Sequence, residues 1–359
     1  MKIEKIGRPQ IIMSNPDGER RYFGWPTVAR LKNGKLAVGA SGFRLAHRCP
    51  FGKSVVIYSD DEGKTWTKPF PVIDTVLDDR DAGLCPFGES GLICTSFNNT
   101  VHYQRTRSLR TPETDAYLDT ITPEAEEKAI GGGYRVSFDN GKTWGDILRT
   151  PIVAPHGPVE LKSGKILFVG RVFPRNNCFE EKDKPYIRAV ELSTDGTVKE
   201  IGHIDGVCNA DGSDINFCEP HTIETKTGKL ICHLRAETPI FSTFQSESYD
   251  GGKTWTKAHP ILSLDKGGAP AHLLQHSSGV IISAYGYRKG PYGVKIMFSE
   301  DDGETWQTDN VLFDDSPKAD VGYPATVELC DGSLLTVYYA HPTEEEPAVI
   351  YQQKWRMIK

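Results

Sequence analysis

The chain has 359 residues, 38% hydrophobic and 10% aromatic, which is enough apolar material for two ordinary domains or one large repeat domain. A formal net charge of −6, with no long basic cluster, argues against a nucleic-acid partner. No apolar run reaches the roughly eighteen residues that a membrane-spanning helix needs, so no membrane partner is expected.

The stretch from Met1 to Pro9 has no secretory apolar region. The cysteines (Cys49, Cys85, Cys94, Cys178, Cys208, Cys218, Cys232 and Cys330) are scattered, with no Cys-x-x-Cys pair. They read as reduced, mostly buried thiols. The expectation is a cytoplasmic protein, or a secreted one if a leader was removed. No compact zinc pattern or dedicated calcium loop is present, so no metal or cofactor is expected.

In chain order, the first predicted element is a strand around Gln10-Ile11-Ile12. Six units follow, each opening on a hairpin of two apolar strands. The joining turns carry Gly34, Gly91, Gly164, Gly228, Gly279 and Gly332. Alternation and turn chemistry both predict hairpins. In the first, second, fourth and fifth units a second hairpin turn reads Ser-x-Asp-x-Gly-x-Thr-Trp. These copies are Ser59–Trp66, Ser137–Trp144, Ser248–Trp255 and Ser299–Trp306. The third unit has a degenerate copy at Ser193-Thr194-Asp195-Gly196, and the sixth has only a strand around Val349-Ile350-Tyr351.

Six units of about sixty residues predict an all-β fold, a six-bladed β-propeller with four-stranded antiparallel blades. It is read as a single domain over 1–359, with the N-terminal strand completing the last blade and removing the open edge. A repeated residue cannot form one asymmetric site, so Asp61, Asp139, Asp250 and Asp301 read as structural turn acceptors. The second blade carries an insertion at about 99–131. Thr111-Pro112 and Thr122-Pro123 mark short helix starts in it. Such an insertion is expected to be a lid or a homo-oligomer contact.

Residues flanking the first strands of a propeller converge on one axial face. Those residues here are Arg44, His47 and Arg48; Asp79, Arg80 and Asp81; His156 and Arg171; Glu219, His221 and Arg235; His272, Tyr287 and Arg288; and Asp320, Tyr323 and His341. A ring of titratable and guanidinium groups at one end points to a ligand site.

The Ser-x-Asp-x-Gly-x-Thr-Trp repeat resembles the Asp-box (BNR repeat) of the sialidase-like, or neuraminidase-like, β-propellers. Cys218-Glu219-Pro220-His221 running to Arg235 resembles the sialidase segment with a glutamate at a strand start followed by a clamp arginine. Gly322-Tyr323-Pro324-Ala325 resembles the segment carrying the sialidase nucleophilic tyrosine. The resemblance implies Tyr323 as nucleophile, Glu219 as the group acting on it, and Arg235 and Arg288 as substrate-clamping arginines. A neutral phenol beside a carboxylate can attack an anomeric carbon, with the carboxylate taking its proton.

The chain departs from that pattern twice. Phe23-Gly24-Trp25-Pro26 stands where sialidases have Arg-Ile-Pro. The loop from Arg44 to Lys53 has no carboxylate to serve as acid/base. Asp81 is the nearest substitute acid and His47 the second candidate. The expected substrate contacts are Arg44, Arg48, Arg80, His156, Arg171, Arg235, His272, Tyr287 and Arg288. The leading expectation is an exo-acting glycoside hydrolase removing a terminal, acidic sugar, with carbohydrate as partner. The alternatives are an exo-arabinanase-like hydrolase using Asp81 and Glu219, a non-catalytic glycan-binding propeller and, more weakly, a polysaccharide lyase.

Overall fold

A computed structural model describes residues 1–173, 184–237, 240–262 and 270–359; Cys178 lies outside the described residues. Six antiparallel sheets form the blades. Blade 1 runs through Tyr22–Arg30, Leu36–Arg44, Lys53–Ser59 and Phe70–Ile73, and blade 2 through Arg80–Phe87, Gly91–Phe97, Gly132–Ser137 and Leu148–Thr150. Blade 3 has a broken first strand. Ile152–Val153 and Val159–Glu160 both pair with Ile166–Val172, and Ile187–Leu192 and Val198–Ile204 follow. Blade 4 comprises Phe217–Glu224, Leu230–Ala236, Ser242–Ser248 and His259–Pro260, and blade 5 Ala271–Gln275, Ile281–Tyr287, Tyr292–Ser299 and Gln307–Ser316. Blade 6 joins Gly322–Glu328, Leu334–Ala340 and Val349–Ile358 to the N-terminal strand Lys2–Met13, as expected.

The inner strand of each blade packs against the next around the ring, and blade 6 returns to blade 1. Between blades 2 and 3 the approach needs glycine: a Cβ on Gly83 would lie 2.3 Å from the Gly157 nitrogen. Apolar residues of adjoining sheets interlock into the core, as where Val38, Ile57, Val327 and Ile350 join blades 1 and 6.

The four Asp-boxes share one hydrogen-bond pattern. In the first, Ser59 Oγ donates to Asp61 Oδ1 at 2.8 Å, Thr65 N donates to the same oxygen at 2.9 Å, and Thr65 Oγ1 donates to Asp61 Oδ2 at 2.6 Å. Asp139, Asp250 and Asp301 repeat it. These local donors hold the four carboxyls below the usual range, although burial opposes them at Asp301. In two of the four the Trp reaches sideways: Trp66 Nε1 donates to Gln352 of blade 6 and Trp306 Nε1 to Gln245 of blade 4, whereas Trp255 Nε1 donates to Gly252 O of its own turn. The first and fourth copies thus tie blade to blade at the rim.

The insertion forms three helices: α1 (Val101–Arg107), α2 (Pro112–Asp119) and α3 (Pro123–Ala129), each capped by the side chain of a Thr. Buried polar links pin its base. Asn98 Nδ2 donates to Asp79 Oδ1 at 3.2 Å and to Ala129 O at 3.0 Å, and Gln104 Nε2 donates to Asp78 Oδ2 at 3.1 Å.

Candidate active site

Four inner strands begin with the same distortion. The register slips between Gly24 and Thr27, Arg80 and Gly83, Cys218 and His221, and Gly322 and Ala325. In each slip one non-glycine residue has a positive φ: Trp25 at 55°, Asp81 at 58°, Glu219 at 51° and Tyr323 at 47°. L-residues occupy this region at a cost of about 1–3 kcal/mol each. The bulge takes the side chain out of sheet alternation. All four residues line one cavity of about 700 Å³.

Tyr323 and Glu219 are bonded to each other. The Tyr323 hydroxyl donates to Glu219 Oε1, and Arg235 Nη1 donates to Glu219 Oε2 at 2.5 Å. Burial disfavours ionisation of Glu219. The Arg235 charge and the hydrogen bonds from Tyr323 and Arg235 outweigh it and hold the carboxyl below the usual range. Burial and the Glu219 charge push the Tyr323 phenol well above 10. The pair is therefore a neutral phenol donating to a carboxylate.

Asp81 differs from Glu219. No hydrogen bond to its carboxyl occurs among the described residues. Burial pushes it up to about 7 against the pull of Arg80, and the Glu219 charge adds to the rise. His47 also lines the cavity. Its Nδ1 lies 2.8 Å from Asp320 Oδ1, which fixes a proton there, and burial lowers its pKa. A neutral His47 therefore presents an unprotonated Nε2, an acceptor rather than a proton donor. Asp320 also accepts from Tyr22 at 2.8 Å and Tyr339 at 2.9 Å, and lies 3.2 Å from His341 Nε2. It is an anchor beneath the loop that carries His47.

Five arginines line the cavity: Arg48, Arg80, Arg171, Arg235 and Arg288. Arg235 is engaged twice, since Nη2 also lies 3.0 Å from Glu237 Oε1. Arg288 donates to Val321 O and to the Tyr339 hydroxyl, both at 2.8 Å. Arg171 Nη2 donates to Asn216 Oδ1 at 2.7 Å. Arg80 lies 4.1 Å over the Trp25 ring and donates to His47 O and Asp78 Oδ2 at 3.2 Å. A guanidinium from blade 2 thus stands on Trp25, the neighbour of Gly24, which holds the place of the arginine in the sialidase pattern.

Four expected substrate contacts are placed elsewhere. Arg44 is fully buried and paired with Asp78, at 2.5 and 3.0 Å, while also donating to the carbonyls of Ala46 and His47. A buried guanidinium bound this way holds the loop. His156 and His272 do not line the cavity. They pack with His221 on the axis, at ring separations of 4.3 to 5.5 Å. Tyr287 also stands outside the lining, under the Lys295 ammonium at 3.8 Å. The sequence reading missed Trp25 and Glu237 as lining residues. It also missed Asn99 and Tyr103, by which the insertion enters the cavity wall. Only Glu237 had a usable signal, standing two positions after Arg235 along an alternating strand.

Residues 120–336 match the BNR repeat-like domain family, and residues 57–68 match the BNR/Asp-box repeat. No curated protein matches the chain significantly. Among solved structures, a protein of unknown function from Dyadobacter fermentans is 21% identical, with a TM-score of 0.77 and 99% of each chain covered. The intramolecular trans-sialidase of Ruminococcus gnavus is 15% identical over 96% of this chain and 97% of its own, with a TM-score of 0.68. The NanB sialidase of Streptococcus pneumoniae is 12% identical over 97% of this chain and 70% of its own, with a TM-score of 0.67. At these identities the likeness shows a shared propeller fold. With a match over more than half its length, six blades and four Asp-boxes, the chain belongs to the BNR repeat-like domain family, within the sialidase-like superfamily.

Proposed function

We propose that this protein is an exo-acting glycoside hydrolase that removes a terminal, acidic sugar from a glycan. A sialidase-like BNR propeller supports a glycoside-hydrolase-like or glycan-binding role. One observation carries the finer reading. Three of the four strained strand starts are a phenol, the carboxylate it donates to, and a carboxyl titrating near 7, all in one cavity.

In this reading Tyr323 Oη attacks the anomeric carbon while its proton passes to Glu219. The bond to the leaving oxygen breaks, and Asp81 supplies that oxygen with a proton. Water then attacks the tyrosyl glycoside, giving its proton to Asp81, and Glu219 returns the proton to Tyr323. The acidic sugar rests on the cavity's arginines and their capacity for bidentate carboxylate binding. The Ruminococcus gnavus neighbour binds oseltamivir carboxylate, a ligand of that charge. The arabinanase-like reading fits less well, because both Glu219 oxygens are already engaged by Tyr323 and Arg235.

The test is a panel of aryl glycosides of sialic acid, its deaminated analogue, uronic acids, arabinose, rhamnose and fucose. Turnover of an acidic member, abolished in Tyr323→Phe, is expected. Silence across the panel and across natural oligosaccharides would sink hydrolysis in favour of binding alone.

A further inference from the structure

We infer that the blade 2 insertion builds the subsite for the leaving group, and that this group is a second sugar ring seated on Tyr103. The inference rests on the assignment of Asp81 as proton donor. A general acid must face the oxygen of the departing group. Whatever is attached to that oxygen therefore lies on the Asp81 side of the cavity.

The insertion stands on that side. Arg80, next to Asp81, pairs in the sheet with Phe97, two residues before Asn99. The insertion is then fastened to the segment before Asp81 by Asn98 on Asp79 and Gln104 on Asp78. Asn98 and Gln104 are buried at 2% and 0% exposure. Their neighbours Asn99 and Tyr103 line the cavity instead. Neither the Asn99 amide nor the Tyr103 hydroxyl has a hydrogen-bond partner among the described residues. The same short segment therefore sends one polar pair inward as anchors and the other into the cavity unpaired.

The chemistry of the second pair fits a pyranose. A tyrosine ring offers an apolar face to the C–H side of a sugar and a hydroxyl to its polar edge. An amide offers both a donor and acceptors to neighbouring hydroxyls. Anchoring by buried side chains fixes both groups before binding, which lowers the ordering cost.

The experiment is calorimetry on the full chain carrying Tyr323→Phe, so that ligands are not consumed. Two probe pairs share a terminal sugar within each pair: methyl sialoside with 3′-sialyllactose, and methyl glucuronide with glucuronyl-galactose. Adding Tyr103→Ala is expected to weaken the longer member of the binding pair about tenfold and the methyl glycoside less than about twofold. Tyr103→Trp is expected to restore the difference. Equal losses for both members, or no longer probe binding better than its methyl counterpart before Tyr103 is changed, would overturn the subsite. A Tyr103-dependent gain in a protein whose unmodified form turns nothing over would overturn hydrolysis and leave the subsite standing.

Discussion

The Tyr323 hydroxyl donates to the Glu219 carboxylate and its oxygen accepts from Arg235 Nη1 at 3.4 Å. Blades 4 and 6 thus share one hydrogen-bonded phenol–carboxylate pair, held in place by a residue of the second strand of blade 4. Glu219→Gln keeps the shape of the side chain and one acceptor oxygen, turns an NH2 toward the other donor, and removes the base. It is expected to lower kcat about 10²–10⁴-fold, with a stability loss of only about 1–2 kcal/mol because the site is partly open to solvent. Steady-state kinetics and urea unfolding on the same preparation separate the two. A variant with full activity would remove Glu219 from the mechanism.

Asp81 supplies a pH signature. Its carboxyl titrates near 7, so the proton-donating form is lost as pH rises through that value. Turnover of a substrate with a poor leaving group is expected to fall above about pH 7. Asp81→Asn should cost such a substrate about 10²–10⁴-fold, and a 4-nitrophenyl glycoside far less, because nitrophenolate needs no proton. The stability sign is opposite to that of a paired acid. The folded state holds the proton more tightly, so ionisation destabilises it as pH rises from about 4 to 7. Asp81→Asn should therefore be more stable than the parent at pH 8, by about 2 kcal/mol, measured by urea unfolding. A destabilised variant would contradict the uncompensated burial of this carboxyl.

Arg44 and Asp78 are both at 0% side-chain exposure. Asp78 also accepts from Arg80 and from Gln104 of the insertion. Arg44→Met leaves a buried carboxylate short of its closest partner and is expected to cost about 3–5 kcal/mol. The measurement is the urea midpoint, together with proteolysis at the Leu109–Arg110 loop, whose Leu109 N bonds to Arg48 O. A loss confined to KM, with stability intact, would instead return Arg44 to substrate binding.

The blades were legible because their signals are local. Alternation, turn glycines and the Ser-x-Asp-x-Gly-x-Thr-Trp hydrogen bonds lie within a few residues of one another. Glu219 and Tyr323 were reached through the resemblance of short segments, and Asp81 through its place before an inner strand. What stayed hidden depends on packing between blades. The positive φ of Trp25, Asp81, Glu219 and Tyr323 arises from bulges against a partner strand, and nothing in the residue types demands it. His156 and His272 have the same look in sequence as residues at the cavity mouth. The stacking of His272 on His221, with His156 edge-on to both, follows only from the convergence of three blades on the axis. Arg44 was misjudged for the same reason, since Asp78, far along the chain, neutralises it.

The axial histidines carry the last prediction. His221 Nδ1 accepts from Leu273 N at 2.9 Å, His272 Nδ1 accepts from Thr326 N at 3.3 Å, and His156 Nδ1 lies 3.1 Å from Thr27 Oγ1. Burial, with repulsion between neighbouring rings, holds all three well below 6.5. The folded state keeps them neutral while the unfolded chain takes up protons as pH falls below about 6.5. Each therefore withdraws stability on the acid side, at up to ~1.4 kcal/mol per pH unit. Asp79 and Asp81, each pushed up to about 7 by burial, act in the opposite sense over the same range and flatten the total. A single variant isolates the histidine contribution. His156→Phe removes one such site together with a buried Nε2 that has no hydrogen-bond partner, so it should cost little at pH 8. Between pH 6.5 and 5 it should gain on the parent, by about 1–2 kcal/mol at the lower end. Urea midpoints at pH 8, 6 and 5 give the comparison. Parallel curves for the two proteins would mean that His156 does not stay neutral in the folded ring.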